Sequence, residues 1–417
     1  MILTRHHLPP KVGRRRCTAS GRTRRVGPGS IPYERHTGAI AAAVDSASDR
    51  GRIGPQLCSA HGTPATAATR GAANFCAITA GMGEPDPSRA TLELMTGSWV
   101  SQALYVAAEL GIADLLADGP LTATELASAS DCTESDGLHR VLRLLASHGV
   151  FREHDDQTFS LTPIGARLRS DVAYSMRDLV IFYGSEGYQA WGALLHGVRT
   201  GESPFRTVFG NDLFGYLDSR PQRRSVFNAA MAASAPFFDH LAAAYRFPQA
   251  ALVMDVGGGS GAMLAAILTA HPDLRGTVVD KSEVIEEAKQ RMTALGMSDR
   301  CTFEPADFFT HVPQGGDVYV LSRILHDWDD DRCTDILRNC RSAMKPDGRL
   351  LIVERLLPAP NTASLACEFD VQMMVVSPGG RERDIPSYTS LLNNSRLALL
   401  SVIPLTFDIN VLECKPA

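Results

Sequence analysis

The chain has 417 residues, of which 44% are hydrophobic and 21% charged, and its formal net charge is −5. That is length for two or three domains, with no global pull toward nucleic acid and no run of about 18 apolar residues to form a membrane span. Nine cysteines, odd in number and without paired CxxC spacing, argue for reduced thiols in a cytoplasm and against a zinc site.

Residues 1–81 do not read as a folded domain. Arg14, Arg15, Arg16, Arg22, Arg24 and Arg25 precede the first acid, Glu34, and Pro, Gly, Ser, Thr and Ala dominate without hydrophobic periodicity. A disordered basic extension, or a mis-assigned start with Met82 as the true one, is preferred over a nucleic-acid arm or transit-like segment. From Thr91 the pattern changes. Leu92, Leu94, Trp99, Val100, Ala103, Leu104 and Ala107 give helical spacing that breaks at Gly111. Thr122 and Glu125 form a capping box ahead of Leu126. A helix over Asp136–His148 follows, and then a hairpin with its tip at Glu153–Gln157. This order is a winged helix, assigned to residues 82–172. Its third helix, Asp136–His148, offers Arg140 and Arg143 but also Asp136 and lacks a basic stripe, so a protein-packing, dimer-forming module is favoured over a DNA reader.

Residues 173–250 read as helices over Ser175–Phe182, Gly187–Gly201, Asn211–Leu217 and Arg220–Tyr245. Phe227 and Met231, four apart, share one helix face; alone, that spacing says core. From Ala251 to the end, strands alternate with helices. Strands are expected at 252–256, 276–280, 301–304, 317–321 and 349–354, with helices at 261–270, 282–295, 332–344 and near 385–393, and two further apolar segments at 398–405 and 407–414. Such alternation implies an α/β, doubly wound parallel sheet.

Ligands of such sheets bind beyond the carboxyl ends of the strands. The first strand ends in Asp255-Val-Gly257-Gly-Gly259-Ser-Gly261, glycines that permit positive φ and close approach of a nucleotide-like ligand. The second ends in Asp280, placed to accept from ribose hydroxyls. Asp307-Phe308 after the third strand suits an adenine edge and face, or equally a cap with local packing. The fourth leads into Ser322-Arg-Ile-Leu-His326-Asp327-Trp328-Asp-Asp-Asp331. His326 reads as a general base, with metal binding as the rival, and Asp329–Asp331 read as helix caps. The fifth ends in Glu354, which needs a buried partner; His326 is the candidate. For Glu382, in a glycine-bearing loop, the residues alone favour a salt bridge to Arg381 or Arg383.

Together these motifs resemble the class I S-adenosylmethionine-dependent O-methyltransferases of the caffeate/hydroxyindole type, including bacterial enzymes that methylate small-molecule hydroxyls. The resemblance runs from about Thr91 to the end. It implies a Rossmann-like domain over 251–417 behind a dimerisation domain, with 173–250 supplying substrate-pocket helices. It also implies that Asp255, Gly257, Gly259, Gly261, Asp280, Asp307, Phe308 and Ser322 bind S-adenosylmethionine. His326 becomes the base between Glu354 and Glu382, and Phe227, Met231 and Asp327 become acceptor contacts, with no metal. A homodimer acting on a small hydroxylated aromatic molecule, with neither nucleic acid nor membrane as partner, is the implied whole. One departure is Asn394-Ser395-Arg396, where the family usually has Ala-Gly-Phe. A nicotinamide (NAD(P)-dependent) dehydrogenase and a winged-helix regulator that binds S-adenosylmethionine are the alternatives. Small residues such as Gly184 and Gly187 hint at room for a bulky planar acceptor.

Overall fold

Asp86 accepts a hydrogen bond from the Ser88 amide and Pro87 fills the first helical position, so α1 (Pro87–Glu109) starts at a defined cap. The computed structural model describes residues 86–233 and 236–417, and the expectation for residues 1–81 lies outside them. Gly111, at φ +64°, turns the chain into α2 (Ile112–Leu115). After β1 (Leu121–Thr122) the expected capping box is present, with the Thr122 side chain accepting from the Glu125 amide and Glu125 accepting in return. It opens α3 (Ala123–Ala129), which is followed by α4 (Ser135–Ser147), β2 (Phe151–Glu153) and β3 (Thr158–Leu161). The strands pair antiparallel in the order β1-β3-β2. Leu126, Leu142, Leu145 and Phe159 fill the core of this winged helix. Arg143 of α4 is held by Glu153 of the wing at 2.6 Å, which neutralises a side chain that a DNA reader would present. On α1, Leu94 is 85% exposed and Trp99 60% exposed.

A helical layer follows: α5 (Arg177–Phe182), a π-helical turn Tyr183–Gly187, α6 (Tyr188–Trp191), α7 (Leu194–Thr200), α8 (Pro204–Phe209), α9 (Leu213–Asp218), α10 (Pro221–Ala233) and α11 (Pro236–Ala244). The single helices expected over Gly187–Gly201 and Arg220–Tyr245 are each two. α6 stops at its C-cap Gly192, and Pro236 begins α11. α8 was not expected; Ser203 caps it and Pro204 starts it, a helix too short to show periodicity. Gly184 does not border an open space. A Cβ there would lie 2.3 Å from the Tyr105 Cβ, so the glycine serves the packing of the π turn on α1.

The third layer is a seven-stranded sheet: β4 (Leu252–Val256), β5 (Arg275–Asp280), β6 (Cys301–Pro305), β7 (Val318–Ser322), β8 (Arg349–Arg355), β9 (Leu397–Pro404) and β10 (Ile409–Pro416). Its order is β6-β5-β4-β7-β8-β10-β9, with the first five parallel and β10 antiparallel to both its neighbours. The connecting helices are α12 (Ala262–Ala270), α13 (Ser282–Ala294), α14 (Asp330–Ala343), α15 (Leu365–Val376) and α16 (Ile385–Asn394). Alternate residues of each central strand enter two different cores. Val253, Val278, Val320 and Val353 face one; Met254, Val279, Leu321 and Ile352 face the other. α15 was missed because its apolar residues lie all round it and give no stripe. At the unusual Asn394-Ser395-Arg396, Arg396 adopts φ +56° and β9 starts at once, paired to β10. Strand order reverses at β4, which puts the ligand-binding switch point above β4 and β7.

Candidate active site

The turn after β4 has its three alternate glycines at positive φ: Gly257 at +72°, Gly259 at +55° and Gly261 at +73°. A Cβ on Gly257 would sit 2.5 Å from the Ile324 side chain. Gly261 is the N-cap of α12, so the free amides of that helix open on the same turn. Asp255 is 1% exposed, and its Oδ2 has no hydrogen-bond partner. Burial, with Asp280 adding to it, pushes its carboxyl up to about 7. Asp280 accepts from the Gly259 amide at 2.8 Å and the Lys281 amide at 2.7 Å, and still has lone pairs to offer. Asp307 caps its own turn, accepting from the Phe309 amide at 2.9 Å, and remains exposed on its outer side. Phe308 reaches back to the glycine turn, with its ring edge 3.5 Å from the Gly257 Cβ position. The Ser322 Oγ at the end of β7 is buried and unpartnered. A buried carboxylate with one unpartnered oxygen, a turn whose three alternate glycines hold positive φ and a strand-end acid together fit a nucleoside ligand carrying an amino-acid tail.

Beside this cradle the chain from β7 makes a 3₁₀ turn, Leu325–Asp327, that presents His326. Its Nδ1 lies 3.1 Å from Glu382 Oε1 and 3.5 Å from Glu354 Oε2, both carboxylates being fully buried. Glu354 is fixed from below, its Oε1 accepting from the Ile324 and Leu325 amides at 3.0 and 2.9 Å. Glu382 therefore does not pair with its neighbouring arginines. Arg383 instead bonds Asp330 and donates to the Leu325 and Trp328 carbonyls at 3.0 and 2.7 Å. Of the three acids read as caps, Asp329 is the N-cap of α14, while Asp330 serves this ion pair. On the other side of the imidazole, Nε2 is 3.9 Å from Asp327 Oδ1. Burial pulls the His326 pKa down, but Glu354, Glu382 and Asp327 outweigh it and hold the value at about 9. Glu354 is itself pushed up, by burial and then by Glu382 against the pull of His326.

Phe227 and Met231 lie one turn apart on α10. Phe227 packs edge-on against Phe182 at 5.2 Å, and Met231 Sδ is 3.9 Å from an Arg323 nitrogen, three residues before His326. Three groups at this site escaped sequence reasoning. Asp370 of the unpredicted α15 accepts from the Glu382 amide at 2.9 Å. Arg383 ties down the 3₁₀ turn. Arg323 holds φ +54°, a left-handed conformation for a long side chain, right at the strand end. The sequence carries no signal for the last, because a lone arginine at a strand exit does not show what covers it. His326, Glu354 and Glu382 also bring donor atoms within 4.8 Å of one another, a spacing that one cation could share. One proton on Nδ1 satisfies the same geometry.

The comparisons with known proteins fit this arrangement. Residues 191–396 match the model of the O-methyltransferase domain, and residues 92–171 that of the O-methyltransferase dimerisation domain. A 3-amino-4-hydroxybenzoate 4-O-methyltransferase of Streptomyces cremeus is 46% identical over 79% of this chain and 90% of its own. The chain belongs to the O-methyltransferase family. The crystal structure of LaPhzM superposes with a TM-score of 0.74 at 42% identity, covering 80% of this enzyme and 100% of that chain. An O-methyltransferase from neocarzinostatin biosynthesis, solved with S-adenosylmethionine and 2-hydroxy-5-methyl naphthoic acid, gives 0.67 at 32% identity, covering 80% and 100%. The matching family models are those of methyl transfer and dimerisation, not of a dehydrogenase or a DNA-binding regulator. Among the described residues, no helix of the methyltransferase is long and apolar enough to cross a membrane.

Proposed function

We propose that this O-methyltransferase uses S-adenosylmethionine to methylate a hydroxyl of a small aromatic metabolite, with His326 as general base, and that it works as a homodimer. The observation that carries the reading is the placement of His326 Nδ1 between Glu354 and Glu382, at the lip of a nucleoside-shaped glycine turn. Asp255, Gly257, Gly259 and Gly261 would hold the amino-acid and ribose parts of the cofactor, Asp280 the ribose hydroxyls, and Asp307 with Phe308 the adenine; Ser322 borders the same cradle. When bound, S-adenosylmethionine supplies an electrophilic methyl group on a sulfonium.

The chain's own part is proton handling and alignment. A proton on Nδ1 shared with Glu382 leaves the Nε2 lone pair free on the Asp327 side, where an acceptor hydroxyl can reach it. With His326 at about 9 and phenols near 10, donor and base are closely matched, the condition for efficient proton transfer. Phe227 and Met231 form a wall for the ring, and Asp327 faces its polar edge. Calorimetric titration with S-adenosylhomocysteine and, separately, with NADH tests the cofactor assignment. Binding of the first alone is expected; binding of NADH alone would overturn the reading.

A further inference from the structure

Arg355 has no place in the proton chemistry, yet it is buried beside it. Following Glu354 at the end of β8, it is 8% exposed, and its Nε makes no hydrogen bond. Its guanidinium lies 3.7 Å above the ring of Phe369 on α15. Stacking on a ring face leaves the N–H donors pointing outward in the guanidinium plane, where they can grip a planar anion through two parallel bonds. Continuing from Phe369, an arc of edge-to-face contacts runs to Tyr183 at 6.5 Å, to Phe182 at 5.6 Å and to Phe227 at 5.2 Å. The arc closes through Met231 onto Arg323, whose guanidinium also lies 5.5 Å from the Phe237 ring. An apolar, aromatic arc thus runs between two guanidinium groups, one three residues before His326 and the other next to Glu354.

Buried polar donors normally find partners, and a buried cation left without a hydrogen bond is costly. Burial lowers the pKa of both arginines, and Arg355 lowers that of Arg323 further. Glu382 and Glu354 act on Arg355 from a distance without accepting a hydrogen bond from it, so the pair of acids does not explain the open edge. An anionic group arriving with the acceptor would.

We infer that the acceptor is an aromatic hydroxy acid, its carboxylate held by Arg355 with Arg323 while its hydroxyl faces His326. This rests on the methyltransferase reading and adds the charge class of its acceptor.

The test is calorimetric, with the protein loaded with S-adenosylhomocysteine in a first titration. Hydroxybenzoate and hydroxynaphthoate are then compared with their carboxamides, in the wild type, in Arg355→Met and in Arg355→Lys. The wild type is expected to bind the acids about 10- to 100-fold more tightly than the amides, the worth of a hydrogen-bonded charge pair. Arg355→Met, which keeps the packing on Phe369, should abolish that preference, and Arg355→Lys should keep part of it. Equal binding of acid and amide by the wild type, binding of neither, or an equal loss of both in Arg355→Met overturns the proposal. Failure of S-adenosylhomocysteine to bind in the first titration overturns instead the methyltransferase reading; the acids and amides titrated into that protein still report on the arginines.

Discussion

Burial and charge set the working state of His326. Two carboxylates within 3.5 Å of Nδ1 raise its pKa to about 9 although burial opposes them. As the proposed base, His326 works only when unprotonated, so kcat/KM should rise with pH up to about 9 and level off above it. Replacing Glu382 with Gln removes one of the charges that raise the value, and the midpoint should move to lower pH. A pH–rate profile for both proteins checks this; a midpoint that does not move would remove Glu382 from the proton relay. Asp255 has the opposite kind of consequence. Its folded-state carboxyl titrates near about 7 against an ordinary 3.8, so the folded protein favours the protonated form. The stability this gives is present below about 4 and is lost as pH rises through about 7. Asp255→Asn should therefore raise the unfolding temperature of the cofactor-free enzyme at about pH 8 while weakening S-adenosylhomocysteine binding, as expected where a binding site costs stability. Thermal melts at both ends of that range check the sign. Asp255 was legible because it stands before three glycines. Arg323 and Arg355 were not, since a single arginine in a sequence says nothing of what covers it.

The 3₁₀ turn Leu325–Asp327 is held less by its own three residues than by one side chain from far along the chain. Arg383, 3% exposed, bridges Asp330 and the carbonyls of Leu325 and Trp328. Arg383→Met should lower stability by about 2 kcal/mol or more, since it leaves buried backbone oxygens short of donors. It should also lower kcat, because the imidazole loses its fixed aim. Urea unfolding together with steady-state kinetics reads both; unchanged values would mean that the turn stands without it. Reading by element worked where the chain kept a period. The glycine turn, the capping box at Thr122 and the strands of the parallel sheet were legible from alternation and caps. α15 was not, being apolar all round, and with it went Phe369 and Asp370, which shape the site from above. Sequence order alone also gave Glu382 the wrong partner. Its arginine neighbours are adjacent in the chain but point away, and His326 arrives from 56 residues upstream to make the pair.

Among the described residues, from 86 on, the winged helix, the helical layer and the sheet pack as one compact unit. The sheet supplies the register: β4 and β7 end side by side, which brings the glycine turn and the histidine turn together from segments some 70 residues apart (326 − 255 = 71). In the proposed reading the helical layer adds the wall for the acceptor ring, and α1 leaves Leu92, Leu94, Met95 and Trp99 exposed within the stretch that matches the dimerisation domain. The proposed chemistry depends most on His326 as base. The most direct measurement is single-turnover methyl transfer from S-adenosylmethionine to a hydroxylated aromatic acid, by the wild type and by His326→Ala, with S-adenosylhomocysteine affinity measured on both. With His326 as base, the rate should be lower by about 10²- to 10⁴-fold in the variant at unchanged affinity. An undiminished rate in His326→Ala would contradict it.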